Sequence, residues 1–173
     1  ANRARIAAAS ACPVATYGGC YPGYADHYVK RLRRMAVLAV WPPARFRSSS
    51  ILLLLQAGGL RDPAVIARQQ PIVTWASMVW NRRQDFSKLD RVLDWAQERL
   101  VGRQPWRKCC GPTQAYVLTC QRLGWVPVSA TTLRLDNGKL IELTDVPPRI
   151  VGDEVRKAVA RCTWRMVCEV YSL

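Results

Sequence analysis

Val126-Pro127-Val128-Ser129-Ala130-Thr131-Thr132-Leu133-Arg134-Leu135, then Asp136-Asn137-Gly138, then Lys139-Leu140-Ile141-Glu142-Leu143-Thr144: here the hydrophobic period of the chain changes. Branched residues are frequent on both flanks, and Asn-Gly between them suits a tight turn because it tolerates positive φ. The stretch predicts one β-hairpin near residues 126–144. The sequence on either side has a helical period, so this segment turns an all-α chain into a mainly α one with a small α+β unit at the carboxyl end.

Towards the C-terminus, Val146-Pro147-Pro148 breaks the pattern and a long helix follows, about Ile150 to Val170, with Val151, Val155, Val159, Cys162 and Met166 at helical spacing. Towards the N-terminus, Gly124 ends a helix over Pro112–Leu123, and 102–112 reads as a loop. Phe86–Leu100 carries Leu89, Val92, Leu93, Ala96 and Leu100 on one stripe. Asp62-Pro63 is a cap followed by proline at the first helical position and opens a helix to Trp80, which Pro71 is expected to kink or split. Ser48-Ser49-Ser50 precede a short apolar helix, Ile51–Gln56, stopped by Gly58-Gly59. His27–Val40 is amphipathic and ends at Trp41-Pro42-Pro43, and residues 1–12 read as the end of a further helix. Trp75 and Trp80 are expected in the core rather than as nucleobase platforms. About six helices result, with a soft boundary near 102–111 dividing a basic helical region (1–101) from a helix, hairpin and helix unit (102–173).

Lys and Arg number 26 against 12 acidic residues, a formal charge of +14. A surplus of this size repels itself in a compact state unless a polyanion neutralises it, which makes nucleic acid the expected partner. Half of it lies in the first fifty residues, where Arg3, Arg5, Lys30, Arg31, Arg33, Arg34, Arg45 and Arg47 face only Asp26. In the helix 27–40, Val29, Leu32, Met35, Ala36 and Ala39 share one face, and Lys30, Arg31, Arg33 and Arg34 fill the opposite one with no acid to pair them. These four, helped by Arg45 and Arg47, are candidate phosphate contacts, and Arg103, Arg107 and Lys108 form a second candidate patch.

Seven cysteines, with Cys109 and Cys110 adjacent and no Cys-x-x-Cys, fit reduced thiols in an intracellular protein, nuclear or cytoplasmic, better than a disulfide framework. The lone His27 lies far in sequence from Cys162 and Cys168, so no metal site is expected. No apolar run approaches the roughly 20 residues of a membrane span. The arginine- and alanine-rich start resembles a transit peptide faintly, and a piece cut from a longer polypeptide explains the initial alanine more simply. The oligomeric state is left open.

Tyr24-Ala25-Asp26-His27 differs by one residue from Tyr-Ala-Asp-Asp, the metal-binding string of reverse transcriptases. Two-metal phosphoryl transfer needs at least two converging carboxylates, and here there is one. Pro22-Gly23 before it and a basic helix after it are not the strand-to-strand turn of a polymerase. Asp26 is therefore expected to act as a helix N-cap. The chain has no phosphate loop, no dinucleotide-binding glycines and no nucleophile elbow, so no catalytic residue is expected.

The order of features nevertheless resembles the region downstream of the polymerase domain in non-long-terminal-repeat (LINE-type) retrotransposon reverse transcriptases. The resemblance is carried by Tyr17-Gly18 and the Leu32-Arg33-Arg34 helix, Asp62-Pro63 with Trp75 and Trp80, Gly111-Pro112, Leu123-Gly124-Trp125 and the hairpin. It continues through Pro147-Pro148-Arg149 and a last helix with Ala160 and Trp164, over about residues 10–168. Cys20 and Pro22 stand near where the family has glutamate and tryptophan. The resemblance implies an RNA-directed DNA polymerase as parent, with magnesium needed only by its polymerase domain. It also implies a non-catalytic segment here that grips RNA or an RNA–DNA or DNA duplex. The alternatives are a structural or assembly subunit of a ribonucleoprotein, an enzyme using Asp26 and His27, and a decayed element remnant without function.

Overall fold

A computed structural model describes residues 17–19, 23–40, 48–56, 62–82, 84–102 and 105–171. Within them lie helices α1 (Asp26–Val40), α2 (Ser49–Gln56), α3 (Pro63–Trp80), α4 (Phe86–Arg99), α5 (Pro112–Leu123) and α6 (Pro148–Tyr171). A 3-10 turn spans Pro105–Lys108, and strands β1 (Val126–Pro127), β2 (Thr132–Arg134) and β3 (Leu140–Glu142) form an antiparallel sheet in the order β1-β2-β3. The expectations for residues 1–12, Trp41-Pro42-Pro43 and Gly58-Gly59, and for Arg45, Arg47 and Arg103, fall outside the described residues.

Helix α3 is the axis. Asp62 Oδ1 accepts from the Ala64 N–H at 2.9 Å, so the expected cap is present. From there α3 buries Ala64, Val65, Ala67, Ile72, Trp75, Ala76 and Val79, apolar around much of its circumference as befits a central helix. It is not split at Pro71: the helix runs unbroken to Trp80, with Pro71 itself buried. Its neighbours are chiefly α6, then α5 and α1, while α4 packs on α5 and α2 bridges α1 and α6. Gly152 lets α6 approach closely, since a β-carbon there would press on Val73 Cγ2 at 3.3 Å and collide with the Gln69 amide.

The hairpin forms as β2 with β3, Leu133 opposite Ile141 with both side chains buried, and Gly138 takes φ +82° in its turn. β1 adds a third strand, pairing Val126 with Arg134. The stretch Val126–Leu135 thus breaks into two short strands, and tertiary contacts are the cause. The Ala130 N–H donates to Asp90 Oδ1 at 2.6 Å, and Ala130 O accepts from Trp75 Nε1 at 3.0 Å, pinning the turn to α4 and α3. Ser129 Oγ accepts from the Thr132 N–H at 3.0 Å and closes it.

The main apolar cluster runs from Val29 of α1 through Ile72, Trp75, Leu93, Tyr116 and Leu133 to Val151 and Val155, and a second, small one pairs Val37 of α1 with Leu53 of α2. Trp75 stacks on Tyr116 with centroids 4.8 Å apart, and Trp125 is 1 % exposed. The expected core position holds for Trp75 and fails for Trp80, which is exposed, as are Trp95 and Trp164. Val92 and Met166, placed on buried stripes by spacing alone, are also exposed. In α6 the apolar face continues instead to Val167.

Candidate functional site

The buried face of α1 is not the one its hydrophobic spacing suggests. Val29, Arg33 and Val37 are buried, one turn apart, while Met35 and Ala39 are exposed. The reason is Asp62. Arg33 Nη2 donates to Asp62 Oδ2 at 2.6 Å and Nη1 donates to Ser50 Oγ at 3.1 Å, with the Arg33 and Asp62 side chains 8 % and 5 % exposed. The cation expected to point at solvent is instead folded into the packing of α1, α2 and α3. A pair this deep holds because each member supplies the other's missing solvation.

Lys30, Arg31 and Arg34 remain on the outside of α1 and make no ion pair among the described residues. Asp26 is not the N-cap. It is the first residue of α1, and Ala25 O takes the N–H groups of Tyr28 and Val29, each at 3.1 Å. The Asp26 carboxylate still favours the helix dipole from the first turn. Its partner is Arg122 at the end of α5, which donates through Nη2. Arg122 also lies over the Trp106 ring, 5.0 Å from its centroid. Burial lowers the Arg122 guanidinium from its ordinary value, and Asp26 works in the opposite direction.

These contacts bring distant parts of the chain together. Ala25, Asp26, His27 and Lys30 from α1 and its entry, with Trp106 and Arg107 from the 3-10 turn, line an open cleft of about 590 Å³. Gly23, at φ +66°, makes room for its wall: a β-carbon there would overlap the Trp106 ring and meet Ala115 Cβ at 3.2 Å. The two candidate patches thus become one surface through Lys30 and Arg107, both exposed. Lys108 is exposed too but reaches back, donating from Nζ to Val101 O at 2.9 Å.

Three contributors carried no signal in the linear charge pattern: Trp106, Arg122 and Arg68. A single arginine within an otherwise uncharged helix, as Arg68 is in α3 and Arg122 in α5, is the feature that could have found two of them. Burial lowers the Arg68 guanidinium, again against the field of Asp26. Among the described residues, no three His, Cys, Asp or Glu side chains cluster as metal ligands, and no helix is long and apolar enough to cross a membrane. No family model matches the chain, and neither the curated proteins nor the solved structures provide a match.

Proposed function

We propose that the chain is a non-catalytic nucleic-acid-binding module that holds a strand or duplex by its phosphates. The observation that carries this is the cleft that Lys30 and Arg107, from distant parts of the chain, line together with the Trp106 ring. Two exposed cations lining one open groove beside a tryptophan ring suit contact with a phosphate backbone, and Arg31 and Arg34 extend the positive surface along α1. Contacts of this kind position a strand without reading its sequence. His27 and Asp26 line the same groove, but Asp26 is occupied by Arg122, which speaks against its use as a catalytic base.

The test is fluorescence anisotropy of the whole chain with labelled single-stranded RNA, RNA–DNA and DNA duplexes over a range of salt. Binding should weaken steeply as salt rises. Salt-independent affinity, or none for any of the three, would sink the proposal. The parentage implied by the resemblance, an RNA-directed DNA polymerase of retroelement type, belongs to the same proposal. It is tested by the upstream coding sequence, which should encode a palm domain with a double-aspartate motif.

The exposed Trp95 and Trp164 support a second possibility, a structural subunit of a ribonucleoprotein whose aromatic side chains meet another protein. Isolation only as a stoichiometric component of a large complex would favour it.

A further inference from the structure

Lys30 and Asp26 border a second, smaller cleft of about 290 Å³, lined further by Arg33, Arg34, Arg68, Ser49 and Ser50. Four cations meet here, and the nearby carboxylates are already taken, Asp26 by Arg122 and Asp62 by Arg33. Arg33 is 7 % exposed and its Nε–H has no acceptor, and the Nε–H of Arg68 is buried without one as well. Arg68 makes no ion pair among the described residues. Leaving buried guanidinium donors unmatched is costly, so such a site favours any ligand that supplies acceptor oxygens and negative charge.

Helix α2 adds to this. Ser48 caps it, its Oγ accepting from the Ile51 N–H at 3.5 Å and its carbonyl from the Leu52 N–H at 3.1 Å. The N–H groups of Ser49 and Ser50 belong to the first turn, where the helix itself offers no acceptor and the dipole is positive. The volume is small for an organic ligand. We propose that this cleft is a seat for one phosphate group, held by Arg68 and Arg33 from the inside and by Arg34, Lys30 and the start of α2 from the rim. The seat does not depend on the nucleic-acid proposal: the group it takes is either a backbone phosphodiester or free inorganic phosphate.

The experiment is thermal unfolding and isothermal titration of the whole chain with inorganic phosphate against chloride at equal ionic strength. Phosphate should raise Tm beyond chloride, because a ligand bound only by the folded state stabilises it. Arg68→Gln should weaken phosphate binding about tenfold, the weight of one charge-assisted hydrogen bond. If Arg68→Gln does not fold, Arg34→Glu at the exposed rim serves instead and should also weaken phosphate, while Lys139→Gln in the hairpin turn should not. Equal Tm in phosphate and chloride, or unchanged phosphate affinity in Arg34→Glu, would overturn the seat. Competition between phosphate and an oligonucleotide assigns the seat to backbone phosphate, and independent binding assigns it to the free anion. Phosphate binding without any oligonucleotide binding defeats the nucleic-acid proposal alone.

Discussion

Asp62 serves two partners with its two oxygens: Oδ2 accepts from Arg33 Nη2 at 2.6 Å, and Oδ1 accepts from the Ala64 N–H at 2.9 Å. The pair therefore ties the register of α1 to the start of α3. Replacing Arg33 by alanine should cost about 3–5 kcal/mol, because it strands a buried carboxylate. Arg33→Met with Asp62→Asn should cost less than Arg33→Ala alone. Arg34→Ala, on the surface, should stay within about 0.5 kcal/mol of the parent. Urea unfolding followed by tryptophan fluorescence measures all three.

Lys30→Ala and Arg107→Ala should each weaken nucleic-acid binding without altering Tm by more than a degree or two. Each should also reduce the slope of log affinity against log salt by about one. A loss of affinity with an unchanged slope would mean that neither side chain neutralises a phosphate.

Gly23→Ala should destabilise by about 1–2 kcal/mol, the cost of a left-handed residue with a β-carbon, and should also move Trp106, whose ring fills the space that the β-carbon would need. The same variant should weaken nucleic-acid binding through the displaced cleft wall. Circular dichroism in the near ultraviolet reports the tryptophan shift.

Acid should release the hairpin from α6. Arg161 donates to the Asp136 carboxylate through Nε at 2.9 Å and Nη2 at 2.6 Å, and Trp125 Nε1 donates to it at 3.0 Å. The Arg161 hydrogen bonds, helped by Trp125 and opposed by partial burial, hold this carboxyl below its ordinary value of 3.8. A depressed folded-state pKa means stability that is complete above about 3.8 and lost as pH falls towards the lower folded value. Asp136→Asn should flatten that part of the stability profile, measured by urea titrations between neutral pH and about pH 3.

The adjacent Cys109 and Cys110 should behave differently. Cys110 is exposed, whereas burial raises the Cys109 thiol and pushes the fully buried Cys120 thiol far up. Thiolate is the reactive form. Alkylation mapped by peptide mass spectrometry should therefore label Cys110 first, Cys109 later, and Cys120 only when the chain unfolds.

The elements that were legible in the sequence are those whose causes are local. Asp62-Pro63 opens α3, Gly124 in the left-handed conformation closes α5, and Gly138 turns the hairpin, each through its own backbone chemistry. The third strand was not legible, because the turn at Ser129 and Ala130 is made by Asp90 and Trp75 from other helices. Arg33 was hidden for the same reason. A run of cations looks like a solvated face until a carboxylate 29 residues further along the chain is brought beside one of them. The cleft needed the same step, since only folding places Trp106 and Arg107 against Lys30.

The packing of α3 against α6 also sets a sequence of events in time. During synthesis the central helix is complete well before Val151, Val155 and Val159 exist to share its core, with α4, α5 and the sheet lying between them in the chain. Contacts between such distant segments fold more slowly than those of a local helical bundle, and a half-made chain with its apolar face uncovered is open to association with its neighbours. Closure of this core therefore waits on α6, whichever parts of the fold form before it.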